Sequence, residues 1–298
     1  VPHEAQLLQL VAQISAGHPA SVPIDGLVND HVAYVITVSG VMHGTRRTVA
    51  SVPTCLLIRH GRTTSNTQGI LAGWSEGVGL DDTGRRQGAE LAERLRGVRV
   101  TAVVSSPLQR CVETALIVLG EAAEVEVEVE TDDRIGECRY GAWTGRSLKD
   151  LAKEPLWRTV QDQPSAARFP DSEMFAGESI GEMQARALQA VREIDARVGA
   201  EHGPQALWAL VSHGDVIKSI LADAAGAHLD HFQRLMVGPG SLSVVTYTDR
   251  RPFVVRLNDG GADLSFLVST PHESPSADPD GSGSIGEAQV GGGAGSAD

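Results

Sequence analysis

Three things are missing from this chain. It has no cysteine framework: Cys55, Cys111 and Cys138 are an odd number of thiols with no C-x-x-C spacing. That pattern excludes a zinc ribbon or disulfide scaffold and points to a reducing, cytoplasmic setting. It has no basic surplus either. With 25 Lys and Arg against 38 Asp and Glu, the net charge of −13 leaves no electrostatic footprint for nucleic acid. Anionic surfaces are repelled at long range, so any anion must be gripped locally. Nor is there an apolar run of bilayer-spanning length. The best candidate, VAYVITVSGVM from Val32 to Met42, follows Asp25 and Asp30 rather than a basic leader. Neither a membrane nor a nucleic acid is an expected partner.

What is present is apolar sequence, 41% of 298 residues, enough for a substantial core. Residues 1–52 read as an N-terminal extension outside the folded protein. Residues 263–298, dominated towards their end by Gly, Ser, Pro and Asp, read as a disordered tail with little to bury. Between them, residues 53–262 alternate strand and helix patterns. This predicts an α/β fold, a three-layer sandwich with a mostly parallel central sheet flanked by helices.

Buried strands are expected at Cys55–Ile58, Thr101–Ser105 and Ala206–Val211, and a half-exposed edge strand where Glu and Val alternate from Glu124 to Glu130. Ser241–Thr248 and Pro252–Leu257 read as a closing pair. Asp82 is expected to cap a helix reaching about Arg96, burying Leu91 and Leu95. Pro107 suits the first turn of the next helix. Ser179, with Glu182 completing a capping box, should open a long amphipathic helix.

Three of the strands end in chemistry. Within LLIRHGRTTSN, Arg59 and His60 follow the first; Arg110 lies just inside the helix after the second; His213 and Gly214 follow the third. Ligand sites in open α/β sheets lie beyond the carboxyl ends of strands, so these groups can converge. Converging guanidinium forks need an anion, and their geometry suits phosphate oxygens.

The motifs R-H-G-x-T-x-x-N (Arg59 to Asn66), SSPLQRCVET around Arg110, GECRYGAWTG around Glu137 and VSHGD around His213 resemble the histidine phosphatase superfamily, in its phosphoglycerate mutase-like branch. The resemblance spans the middle domain. It implies that His60 is a nucleophile forming a phosphohistidine, that Glu137 is the general acid, and that Arg59, Arg110, His213, Asn66 and Gly214 bind phosphate. No metal or other cofactor is implied. Arg62, Thr63, Ala72, Gly73, Arg139, Tyr140 and Arg158 are candidates for the substrate rim. Where mutases of the family hold a substrate carboxylate, this chain has Ala72 with Gly73, and Leu148. Hydrolysis of a small-molecule phosphomonoester is therefore expected over phosphoglycerate mutase-type transfer.

Other readings compete. GESIG, from Gly177 to Gly181, matches the G-x-S-x-G elbow of serine esterases, but no strand precedes Ser179, whose capping role explains it better. A weakly active phosphoryl-binding or regulatory module is a further alternative. Cys138 reads as a packed small side chain, Trp74 and Trp143 as pocket floor or packing, and His228 with His231 as surface groups.

Overall fold

The computed structural model describes residues 52–120, 128–261 and 290–292. In chain order, β1 (Thr54–Arg59), α1 (Thr64–Thr67), α2 (Asp82–Arg94), β2 (Ala102–Ser105) and α3 (Gln109–Gly120) form the first half. They are followed by β3 (Val129–Thr131), α4 (Leu148–Leu151), α5 (Pro155–Asp162), α6 (Ile180–His202), β4 (Leu207–Ser212), α7 (Gly214–Ala224), β5 (Leu242–Tyr247) and β6 (Pro252–Asp259). The strands form one sheet in the order β3-β2-β4-β1-β5-β6. β1, β2, β3 and β4 run parallel, while β5 and β6 are antiparallel to their neighbours.

The central strands are apolar throughout because both faces are covered. Alternate residues point to opposite sides: Cys55 and Leu57 enter one apolar cluster with α6 and α7, and Leu56 and Ile58 enter another with α2 and α3. Trp208 and Leu210 likewise oppose Ala209 and Val211. The expected three-layer sandwich is thus the observed one.

Some local readings shift. Asp81, not Asp82, caps α2, its carboxylate accepting from the Gly84 N–H at 2.8 Å, and the helix ends at Arg94. Leu91 and Leu95 are nevertheless buried as expected. Pro107 lies just outside α3, since Leu108 supplies the carbonyl that accepts from Cys111 N–H. β3 is an edge strand, but residues 121–127 of the Glu/Val alternation lie outside the described residues. The same holds for residues 1–51 of the extension. Within the segment expected to be a disordered tail, Val290 is only 1% exposed. Its isopropyl group finds an apolar niche in the α6/α7 cluster that the surrounding Gly-rich sequence gave no reason to expect.

The glycine of R-H-G is required by proximity. A Cβ at Gly61 would lie 2.5 Å from the Gly84 carbonyl oxygen, so the loop after β1 rests directly on the first turn of α2. Gly61→Ala should therefore cost about 1–3 kcal/mol, as overpacking does, read from the urea midpoint at constant m. Gly181→Ala, where the nearest atom is 3.9 Å from the added carbon, should leave that midpoint unchanged or higher.

Candidate active site

β1 and β4 are neighbours, yet the chain leaves β1 towards α2 on one face and leaves β4 into α7 on the other. This reversal opens a crevice at their carboxyl ends. The backbone pins it: the His60 N–H donates to the Ser212 carbonyl at 3.0 Å, and the Gly240 N–H to the His60 carbonyl at 3.1 Å. The Gly61 N–H donates to Thr114 Oγ1 at 3.0 Å, and that hydroxyl donates to the Arg110 carbonyl at 2.7 Å. The loop carrying His60 and the helix carrying Arg110 are thereby one unit.

The rings of His60 and His213 meet edge to face, 5.3 Å between centroids. His60 Nδ1 lies 2.7 Å from the Gly61 carbonyl oxygen. A carbonyl only accepts, so Nδ1 carries the proton and Nε2 the lone pair. Burial first, then Arg110 and Arg59, hold the His60 pKa well below its usual value, so the ring is neutral at pH 7. His213, fully buried, shares a hydrogen bond with Ser106 Oγ at 2.7 Å, and the same influences keep it neutral.

Both arginines are almost wholly inside the protein. Arg59 donates from Nη1 to the Val237 carbonyl at 2.7 Å and from Nη2 to the Gly291 carbonyl at 3.3 Å. Burial lowers its pKa to about 10, still leaving it charged. Arg110 donates from Nη2 to the Gly73 carbonyl at 2.9 Å, while its buried Nη1 has no hydrogen-bond partner among the described residues.

Glu137 is 4% exposed. Burial, reinforced by Asp215, raises its pKa to about 7 against the opposing pull of Arg110. The Cys138 N–H donates to Oε1 at 2.9 Å, and Oε2 lies 3.7 Å from His213 Nδ1. Two groups that sequence reading missed hold this loop. Arg186, on α6, donates to the carbonyls of Arg134, Gly136 and Glu137 and pairs with Glu178. Asp215, the last letter of VSHGD, accepts from Tyr140 Oη at 2.8 Å and pairs with Lys218 at 2.7 Å. Its place two residues after the histidine was the available signal; Arg186 had none, since a helical arginine reads as solvated.

A cavity of about 30 Å³ is lined by His60, Arg110, Glu137, Thr63, Asn66, Ala72 and Gly73, together with Ile70, Leu71, Leu148, Val290 and Gly291. Arg59 and His213 adjoin these groups without themselves being part of the lining. Asn66 commits its amide oxygen to Thr63 in the cap of α1. Gly214 is the first residue of α7, capped by His213. Four of the rim candidates are placed otherwise than expected. Arg62 pairs with Asp81 at 2.9 Å, Arg139 stacks over Trp74, and Arg158 is exposed on α5 beside Asp162 at 3.0 Å. Tyr140 is buried, its ring packed on Phe169. Trp143 stacks with Trp157 in the core, and Cys138 is buried. Ser179 forms the expected capping box with Glu182 and does not line the cavity.

Comparison with known proteins gives the arrangement its place. Residues 55–260 match the model of the histidine phosphatase superfamily, branch 1. The Yersinia enterocolitica protein named probable phosphoglycerate mutase GpmB is 30% identical over 195 residues, 65% of this chain and 84% of its own. Among solved structures, YhfR of Bacillus stearothermophilus superposes with a TM-score of 0.60 at 26% identity, covering 71% of this chain and 98% of its own. A mycobacterial glucosyl-3-phosphoglycerate phosphatase does so at 0.58 and 25%, covering 69% and 98%. Four ordered motifs, the sheet order and these similarities agree: the chain belongs to the histidine phosphatase superfamily, branch 1.

Proposed function

We propose that this protein is a phosphomonoester hydrolase working through a phosphohistidine at His60. The observation that carries the reading is the His60 ring itself: neutral, tied through Nδ1–H to Gly61, and lining a cavity beside the unpartnered Nη1 of Arg110. Nε2 attacks phosphorus, the N–P bond forms as the bond to the leaving oxygen breaks, and Glu137 gives that oxygen its proton. Water then attacks phosphorus, its proton passes to Glu137, and inorganic phosphate leaves with the imidazole restored. Arg59, Arg110 and His213 supply charge and hydrogen bonds to the equatorial oxygens throughout.

Hydrolysis is favoured over mutase transfer by the cavity wall. Ile70, Leu71 and Leu148 are apolar, and a mutase must retain a carboxylated intermediate while the phosphoryl group returns. The similarity to phosphatases of small phosphorylated metabolites is consistent with a substrate of that size.

His60→Ala should abolish turnover of p-nitrophenyl phosphate, and parent enzyme trapped during turnover should carry an acid-labile phosphoryl adduct that intact mass detects and the variant lacks; turnover at the parental rate in the variant would refute the assignment. Arg110→Ala should lower kcat by on the order of 10²- to 10³-fold, the usual effect of deleting a charge-stabilising donor.

The pH dependence follows from Glu137. Its acid form prevails below about 7, so kcat/KM for alkyl phosphates should fall as pH rises through that value. Aryl phosphates, whose leaving groups need less protonation, should show a flatter profile. Because the His60 pKa is held down, no acid limb is expected near the ordinary histidine value. Glu137→Gln should remove the alkaline fall and slow alkyl far more than aryl substrates.

A further inference from the structure

The C-terminal turn Val290–Gly292 touches the same groups that the proposed chemistry needs. The Gly291 carbonyl accepts from Arg59 Nη2, and the Gly291 N–H donates to Asp215 Oδ2 at 3.0 Å. Val290 is buried in the α6/α7 cluster, and both residues form part of the wall facing His60, Arg110 and Glu137. Gly291 has φ of 69°, and a Cβ there would come within 2.8 Å of Leu71 Cδ1. Glycine is thus demanded twice, by conformation and by space.

With this turn in place the cavity is about 30 Å³. A benzene-sized ligand occupies a cavity of roughly 150 Å³, and small-molecule sites run from about 300 Å³ upwards. The turn thus narrows the space beside His60 and Arg110 that a phosphorylated substrate would enter. The match to the family ends at residue 260, so the turn is an addition beyond the part the family shares.

We propose that Val290–Gly292 is an intramolecular strap that competes with substrate for the site, its Gly291 carbonyl holding a donor of Arg59 that phosphate otherwise takes. This rests on the phosphatase reading and adds its regulation. The competition is unequal. A neutral carbonyl makes a weaker bond to guanidinium than a phosphate dianion, whose charge-assisted bonds are roughly twice as strong. Tethering offsets the difference, since a segment on the same chain acts at a high effective concentration. Substrate therefore displaces the strap at a cost in apparent affinity.

The strap is released in the full chain by Val290→Asp, which buries an unpaired carboxylate, or by Gly291→Val, which clashes with Leu71. Each should lower KM for p-nitrophenyl phosphate and the calorimetric Kd for inorganic phosphate on the order of fivefold, as removal of an occluded population does, with kcat little changed. Thermal melting checks that both variants fold, and hydrogen exchange on the parent gives a readout independent of substitution. Amides of residues 290–292 should lose protection at saturating phosphate. Unchanged or weaker phosphate binding in both variants, or protection that persists or rises with phosphate, overturns the strap while leaving a working phosphatase. If the parent neither turns over phosphomonoesters nor binds phosphate, the active-site reading itself fails and the strap falls with it.

Discussion

The constraint on which this structure turns is the burial of two guanidinium groups at the carboxyl end of a parallel sheet. Arg59 and Arg110 are almost entirely removed from water, and a buried charge is costly unless paired and hydrogen-bonded. The protein meets this in part with backbone carbonyls, those of Val237 and Gly291 for Arg59 and of Gly73 for Arg110. The remaining compensation comes from acids. Glu137 and Asp215 act on Arg59 through charge, and each is itself buried. Burial first, and then the same positive potential, keeps His60 and His213 uncharged. The neutral state of the His60 ring thus follows from its burial and from the cost of accumulating positive charge in one small volume.

Rigidity at the site comes from close backbone packing and from a third, half-buried arginine. Gly61 and Gly84 abut without room for a methyl group, and Thr114 ties the Gly61 N–H to the Arg110 carbonyl. On the opposite wall, Arg186 gathers the carbonyls of Arg134, Gly136 and Glu137 and is neutralised by Glu178. Glu137 is therefore presented by a loop held from beneath. Side chains fixed by such packing and hydrogen bonds keep the geometry that catalysis requires.

The fold was legible because the signals are local and periodic. A period of two in apolar strands, capping residues such as Ser179 and breaks at strand ends need only a short window of sequence. The convergence of His60, Arg110 and His213 was legible for a related reason: they sit at strand ends or helix starts that topology forces together. What escaped was long-range and side-chain specific. Arg186 is 49 residues from the carbonyl of Glu137 and resembles any solvated helical arginine until the loop folds over it. Tyr140, read as rim, is buried because its hydroxyl finds Asp215 across 75 residues. Val290 was invisible because one apolar residue among glycines carries no periodicity, and only the tertiary niche reveals its contact.

Charge around the mouth bears on what the site can select. The charged rim candidates are already engaged, Arg62 with Asp81, Arg139 over Trp74 and Arg158 with Asp162, as is the neighbouring Arg168 with Glu182. The last two pairs are solvent-exposed and individually weak, so they would yield to a strong ligand, but neither Arg158 nor Arg168 lines the cavity. Arg62 is the better held, since Asp81 is fixed in turn by capping α2. An incoming carboxylate would have to break that pair and leave Asp81 facing another anion. The wall that substrate meets is instead made of Ile70, Leu71 and Leu148, which reward apolar contact and offer no counter-charge. Positive charge is thus concentrated at the buried Arg59 and Arg110, while the arginines around the mouth are matched by partners of their own.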